Sequence, residues 1–481
     1  MKFLKLLLIN TSVLTLISAV YCESLTISEY TDMVLRNNSE LKSIQLNIES
    51  LKGKLAETEK VYSYSLNAGI SYIEDHSGKP YNLINRPDKI TNIKYEAGID
   101  KQFATGTKIA LGFNSSYSST YMPDGLNNNF SDIEPFIGLQ QSLLKDINGG
   151  CTKAGIEKIR TNAKSDLYKL EYKKQNILLN AKLIYWDLSY SRTVIDFKKL
   201  SLNRTKKILD WSQKKYNMDL IGKSDLLQSQ IALKDKELSL QLAYEEEKKV
   251  NRSFNQFLNI NDGQVKYEVE KFEDKKNNFK DNQTLSKKGA RKDLLSALEY
   301  VQSAFYDQIS AEKSLKADLV LKGHYALNGV ERTANDAVKN IKDGSKPSYS
   351  LELRYILPLD FKLRKTINQG YESAKISAQK SAEYALIQEN NDWLQLIDNW
   401  NNAKTRFNII AAIEKIQQQR YEEDKNLFVK GRVTTTQVLR GEQALDDAEL
   451  DVLKNILELI KIYEQAEVIY NNNDDIRQLY Y

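Results

Sequence analysis

The sequence predicts a mostly α-helical fold of two tandem repeats, in which long coiled-coil helices are combined with β-strands of a membrane barrel. Three observations lead to this prediction: an internal repeat, long stretches without helix breakers, and short segments in which apolar and polar residues alternate. Of the 481 residues, 41% are hydrophobic and 28% are charged. This composition excludes a bundle of membrane-spanning helices.

Residues 1–22 are predicted to form a secretory signal peptide. Lys2 and Lys5 give a basic start, an apolar run extends to Val20, and cleavage is expected after Cys22. A lipoprotein signal, in which Cys22 would be acylated, is the alternative. Cleavage removes two lysines and no acid, so the net charge falls from +5 to +3, which is too small to indicate a nucleic-acid partner. Cys151 remains as a single cysteine, so no internal disulfide is expected.

The internal repeat aligns without a gap at an offset of 212 residues, beginning at Tyr216 and at Phe428. Each copy has a short turn, followed by a Ser or Thr and then an apolar helical run. This pattern predicts a tight corner between two helices in each half, with a cap that begins the second helix. The repeat divides the mature chain into a first repeat, residues 23–260, a linker at 261–289, and a second repeat, residues 290–481.

Long helices are predicted where glycine and proline are absent, in 156–221, 223–262, 371–430 and 442–481. A helix of 60 residues would be about 90 Å long. Apolar residues step by three and four, which is the spacing of a coiled-coil seam, and the opposite faces are expected to meet water. A further helix is expected at 25–60, with a counterpart at about 290–316. The seam positions are Ile177, Ala181, Ile184, Leu188, Trp393, Leu396, Trp400, Ala403, Phe407 and Ile410.

Strands are predicted in the two proline-containing windows, because apolar and polar residues alternate there. The first window offers up to four strands, at about 62–72, 93–103, 107–117 and 133–143, and the second offers two. Tyrosine-rich segments of about 11 residues suit strands that cross an outer membrane. A half-buried sheet in a soluble domain is the alternative for each segment alone. The open edges of so few strands cannot face lipid, so several chains would have to share one barrel.

No catalytic, cofactor or metal site is predicted. His76 and His324 are far apart, and one cysteine cannot complete a zinc-ligand set. The glycines after Asn148 lack the lysine and hydroxyl signature of a phosphate-binding loop.

The ordered set of segments resembles the TolC-like outer membrane efflux protein family. The resemblance rests on LTISEYTDMVLRNNSEL near the N-terminus, GLQQSLLKDINGG at 138–150, RKDL at 291–294, the Pro358 segment and the two corners. It implies a homotrimer, with one shared β-barrel in the cell outer membrane and a helical tunnel in the periplasm. The implied function is a passive duct of a tripartite efflux pump or type I secretion system. Its implied partners are a periplasmic adaptor and an inner-membrane pump or ABC exporter.

The resemblance also implies roles for the two corners. Adaptor docking would fall on Asp219, Leu220, Ile221 and Gly222, and on Gly431, Arg432 and Val433. Asp219 stands where glycine is usual, which leaves the docking geometry of that corner open. The periplasmic gate would include Asp225, Phe428, Gln437 and Arg440. Since Gln437 and Arg440 replace acidic residues, we expect a weaker preference for cations, which reversal potentials in salt gradients measure.

The sequence is compatible with two arrangements of the strands and with two classes of protein. The family has two barrel strands in each repeat, so the middle pair of the first half, joined at Ala104–Gly106, either enters the barrel or forms an external hairpin; the hairpin is favoured. A periplasmic coiled-coil adaptor or scaffold without a channel is the competing class of protein.

Overall fold

The computed structural model describes residues 24–77, 87–122, 127–260, 267–270, 272, 284–342 and 346–471. The predicted signal peptide and much of the predicted linker lie outside these residues. Two compact units are present. The first comprises Met1–Lys42, Gln175–Gly289 and Leu394–Tyr481, and the second comprises Ser43–Lys174 and Ala290–Trp393.

Helices dominate the chain, as predicted, and those that precede the corners are very long, with 68 residues in α3 and 69 in α7. Among the described residues, no helix combines the length and the apolar character needed to cross a membrane. The helices are α1 (Ile27–Asn37), α2 (Ser39–Glu59), α3 (Gly150–Asn217), α4 (Lys223–Phe257), α5 (Lys292–Ser314), α6 (Ala334–Lys342), α7 (Phe361–Val429) and α8 (Thr435–Gln465).

The single N-terminal helix predicted at 25–60 is wrong, because the chain breaks at Asn38 into α1 and α2. The Asn38 backbone is extended, and its side-chain oxygen accepts hydrogen bonds from the backbone N–H groups of Glu40 and Leu41. Asparagine thus caps the second helix instead of continuing the first.

The strands form one antiparallel sheet in the second unit, in the order β1-β2-β3-β4-β5-β7, and the short β6 pairs with β4. The external hairpin favoured from the sequence is wrong. The middle pair, β2 and β3, lies in the sheet between β1 and β4, and both strands are hydrogen-bonded along their length. The strands are β1 (Tyr64–Asp75), β2 (Lys89–Gln102), β3 (Thr107–Tyr121), β4 (Asn128–Ser142), β5 (Asp318–Leu327), β6 (Gly329–Glu331) and β7 (Pro347–Ile356).

The first unit has an aromatic core. Tyr30, Tyr185 and Phe254 are fully buried, and the rings of Tyr30 and Phe254 stack with centroids 4.1 Å apart. Most positions of the predicted coiled-coil seams are also buried, including Leu188 on α3 and Ala403 on α7, whereas Ile184, Trp393 and Ile410 are half-buried. These seam residues recur every three or four positions, and their burial along one face explains why such long helices are stable.

The faces opposite the seams are less polar than expected. Leu227, Ile231, Leu238 and Leu242 form an exposed line on α4, here called the α4 row. Ile409, Ile413 and Ile416 form a similar line on α7, the α7 row. Both rows have the spacing of a coiled-coil seam, so each helix carries a second apolar stripe that the described part of the chain leaves exposed.

Candidate functional site at the two helix corners

The first corner joins α3 to α4 through a reversal centred on Asp219. The Leu220 N–H donates to the Lys215 carbonyl at 2.9 Å, and the Asp219 N–H donates to the Tyr216 carbonyl at 3.0 Å. Asp219 has φ 58°, in the left-handed region. These two bonds and the left-handed residue constitute a Schellman-type helix end.

The second corner has the same geometry. The Arg432 N–H donates to the Leu427 carbonyl at 2.9 Å, the Gly431 N–H donates to the Phe428 carbonyl at 3.0 Å, and Gly431 has φ 74°. The structure therefore answers the question raised by the missing glycine, because Asp219 adopts the left-handed conformation that Gly431 adopts in the other repeat. Aspartate tolerates this conformation better than most residues.

The caps of the two corners differ. Thr434 precedes α8, and its side chain accepts a hydrogen bond from the Gln437 N–H at 3.2 Å. Gly222 holds the equivalent place before α4 and makes no side-chain cap. The predicted Ser/Thr cap is therefore wrong at the first corner, because Ser224 lies inside the helix.

The left-handed conformation of Gly431 leads to a prediction. Gly431→Val should lower the free energy of unfolding by about 1–2 kcal/mol, because a β-branched residue is forced into the left-handed region. Beyond Gly431 and its two neighbours in the chain, no heavy atom lies within 4 Å of the added Cβ, so the cost is one of backbone conformation. Denaturant unfolding of the detergent-solubilised protein measures the change. The control is Gly222→Ser, which is equally open, at a negative φ and at a capping position; an equal loss in both variants would contradict this explanation.

The predicted docking residues lie at the outer surface of the corners. Leu220 is 68% exposed, and Gly222, Gly431 and Arg432 are also exposed, whereas Ile221 and Val433 are half-buried. Met218, which lies next to the turn, is 67% exposed as well, and no sequence pattern marks it as a docking residue.

A small hydrophobic cluster, here called the corner core, lies beneath the second corner. It consists of Ile208, Tyr421, Phe428, Val438 and Leu445, and Val433 packs against it. The Lys215 ammonium lies 3.6 Å from the centre of the Phe428 ring and also donates to the Phe428 carbonyl. Burial lowers the pKa of Lys215. This lysine therefore links the end of α3 to the end of α7.

The predicted gate residues do not share one environment. Phe428 is fully buried in the corner core, and Asp225 is half-buried in the first turn of α4. Gln437 and Arg440 are exposed on α8. The Gln437 side chain donates to Asp424 Oδ1 at 2.7 Å, which ties α8 to α7.

A buried group of charges, here called the corner charge network, joins α3, α4 and α8. Glu442 is at its centre, because its carboxylate accepts from Ser201 Oγ at 2.7 Å, Arg204 Nε at 3.3 Å and Lys236 Nζ at 3.0 Å. Side chains of Glu442 and Lys236 are only 2% and 8% exposed. The network comprises Lys198, Arg204, Lys236, Glu442, Asp446 and Glu449.

The network is balanced, with three cations and three carboxylates. Burial alone would raise the pKa of Asp446, but hydrogen bonds and charges from Lys198 and Lys236 lower it. Burial raises the pKa of Glu449 against the opposing effect of Arg204. Asp446 therefore stays ionised at neutral pH, and each buried charge depends on its partners.

Sequence reasoning missed this network. Partners that bond directly in it lie up to 248 residues apart in the sequence, and the internal repeat does not duplicate the network, because Lys236 aligns with Ala448. The available signal was the presence of acidic residues at Glu442 and Asp446 on the apolar face of a predicted helix.

Comparisons with known proteins give a consistent picture. No protein-family model and no curated protein sequence matches this chain. Solved structures do match. The Vibrio cholerae outer membrane protein VceC has a TM-score of 0.68 at 12% identity, over 93% of this chain and 97% of that one. The Campylobacter jejuni CmeC outer membrane channel has a TM-score of 0.65 at 14% identity, over 94% of this chain and 88% of that one.

The Neisseria gonorrhoeae MtrE outer membrane channel, in an open state, matches with a TM-score of 0.65 at 11% identity, over 93% of this chain and 90% of that one. The likeness therefore extends along nearly the whole chain in each comparison. This chain has the fold of outer membrane channels.

Proposed function

We propose that this chain is a passive export duct of the outer membrane, the outer component of a tripartite efflux pump or a type I secretion system. The observation that carries the proposal is the sheet, which exposes apolar side chains along one face, such as Leu66 at 76% and Leu353 at 62%. Within each of these strands, the exposed apolar residues alternate with small or polar residues, which point to the other face of the sheet. A wall with lipid on one side and water on the other needs this pattern.

Assembly is the second part of the proposal. The α4 row and the α7 row are exposed seams with coiled-coil spacing, and such seams are stable only when another helix covers them. Among the described strands, β1 and β7 have edges without a partner strand, and lipid cannot satisfy the polar groups of such edges. Further copies of this chain would cover all of these surfaces. The assembly that we propose is a homotrimer with a shared barrel.

The proposed mechanism is mechanical and non-enzymatic. The corners close the duct at rest, with Asp225, Gln437 and Arg440 at the entrance and Phe428 supporting them from the corner core. A periplasmic adaptor docks on the exposed corner residues and shifts the equilibrium to the open state by binding that state better. Energy comes from an inner-membrane pump or ABC exporter.

Crosslinking in intact cells tests the docking part of this proposal. A photo-crosslinking amino acid at Leu220 or Arg432 should capture a periplasmic adaptor, because both positions are exposed at the corners. The same probe at Lys248, exposed on α4 and about 40 Å along the helix from Gly222, should capture far less of it. Equal capture at the three positions, or none, would count against corner docking.

Cell fractionation tests the location. The chain should remain with the outer membrane and require detergent for extraction. The competing class, a periplasmic adaptor or scaffold, would be released in plain buffer and has no use for an exposed apolar sheet face.

A further inference from the structure

We infer that each chain contributes six strands to the barrel wall, including β2 and β3, and that β1 of one copy pairs with β7 of the next. This inference rests on the proposed homotrimer, in which three copies then close a ring of 18 strands. If β2 and β3 lay outside the barrel wall, three copies would close a ring of 12 strands.

The apolar face is continuous across all six strands. One row of directly paired residues crosses the whole sheet, and each member is a large apolar side chain that is at least 45% exposed. The next row toward the helices is small or polar, with Ser65 on β1 and Ser350 on β7 at its ends. The apolar row is Leu66, Ile99, Leu111, Ile137, Tyr325 and Tyr349.

Ile99 on β2 and Leu111 on β3 are the members of the apolar row that indicate where the middle pair of strands lies. A hairpin that projects into water has no reason to continue an exposed apolar row in register with its neighbours. Lipid contact explains the row on these two strands as it does on the other four.

The stagger of the strands also fits a closed barrel. The row that begins at Tyr64, the first residue of β1, reaches β7 at Leu351, five residues before β7 ends at Ile356. From β1 to β7 there are five steps between neighbouring strands, so at each step the row moves about one residue away from the strand ends on the helix side. A shift of about 3.4 Å for every 4.8 Å across the sheet corresponds to a strand tilt of about 35°, within the range of membrane barrels.

The edges of the sheet are suited to each other. Six strands that alternate in direction leave β1 and β7 antiparallel, so β1 of one copy meets β7 of the next in the orientation found throughout the sheet. One further step of the same stagger places Leu351 opposite Ile70 of the neighbouring copy. That register also pairs Tyr349 with Tyr72 and Tyr355 with Leu66, all of them exposed in the single chain.

The width of the exit follows from the strand number. At a tilt of about 35°, 18 strands give a barrel about 34 Å across between backbones, compared with about 22 Å for 12. A barrel of the larger size leaves an open aqueous channel.

Cysteine pairs test the edge contact in the full chain, in a Cys151→Ser background. Ile70→Cys with Leu351→Cys should be joined between copies by a short thiol crosslinker, giving covalent dimers and trimers on a denaturing gel. The control, Gly69→Cys with Leu351→Cys, places the thiols on opposite faces and should stay uncrosslinked. A bimane label at Leu111→Cys on β3 should be quenched by brominated lipid, whereas a label at Ala110→Cys, on the other face, should not.

These readouts separate the two proposals. A trimer that conducts ions but gives no link between Ile70 and Leu351, or leaves the Leu111 label in water, overturns the six-strand wall and leaves the duct intact. A chain that forms no trimer overturns the proposed function itself.

Discussion

Glu442→Gln is expected to lower the free energy of unfolding by about 3 kcal/mol, since removing one partner from a buried ion pair leaves an uncompensated charge. Arg204 and Lys236 both face the Glu442 carboxylate, and the glutamate is only 2% exposed. Glutamine keeps the shape of the side chain and the hydrogen bond with Ser201 but loses the charge. The change in the free energy of unfolding therefore measures the electrostatic contribution of Glu442. Denaturant titration followed by far-UV circular dichroism measures it.

The matched control for Glu442 is Glu237→Gln. Glu237 is the repeat equivalent of Glu449, and it pairs with Lys234 at the surface, where the two side chains are 41% and 76% exposed. An exposed pair of this kind contributes about 0.5 kcal/mol or less. If the two glutamine variants unfold alike, the corner charge network does not stabilise the corners.

Ile231→Asp combined with Leu238→Asp is expected to abolish the trimer. Both residues belong to the α4 row and are 63% and 59% exposed in the single chain, so neither change disturbs this chain's own core. In the assembly, each aspartate would lose about 1.5–3 kcal/mol of apolar burial and would place a desolvated charge in the seam. Native mass spectrometry of the detergent extract should show monomers only.

Gln241→Asp combined with Lys248→Asp is the control for the seam variant. Both positions are exposed on α4, with the same seven-residue spacing, but lie to one side of the α4 row. These changes should leave the trimer intact. Persistence of the trimer in the seam variant would mean that the α4 row lies outside the interface between copies.

Local features of the corners were predictable from the sequence. A turn and a helix C-terminus depend on a few adjacent residues, and the offset of 212 residues presented the pattern twice. The side-chain cap was predicted correctly only at the second corner, because Gly222 precedes α4 where Thr434 precedes α8. The helix seams were predictable for the same reason, because Leu396, Trp400 and Ala403 repeat within a few turns and are buried as expected.

Features that depend on distant partners were not predictable. Nothing near Arg204 in the sequence identifies Glu442 as its partner, and nothing in the alternation of β2 indicates whether that strand pairs with β1 or projects from the sheet. The break at Asn38 shows a further limit. An asparagine within an amphipathic pattern is compatible with a helix interior, and only the hydrogen bonds it makes in the folded chain show that it caps a new helix.

Single-channel recording in planar lipid bilayers tests the central claim most directly, that copies of this chain together enclose a water-filled path through a membrane. The detergent-extracted trimer should insert and produce discrete, long-lived conductance steps. A bilayer that stays insulating, with a polypeptide that is monomeric in buffer without detergent, would contradict the account.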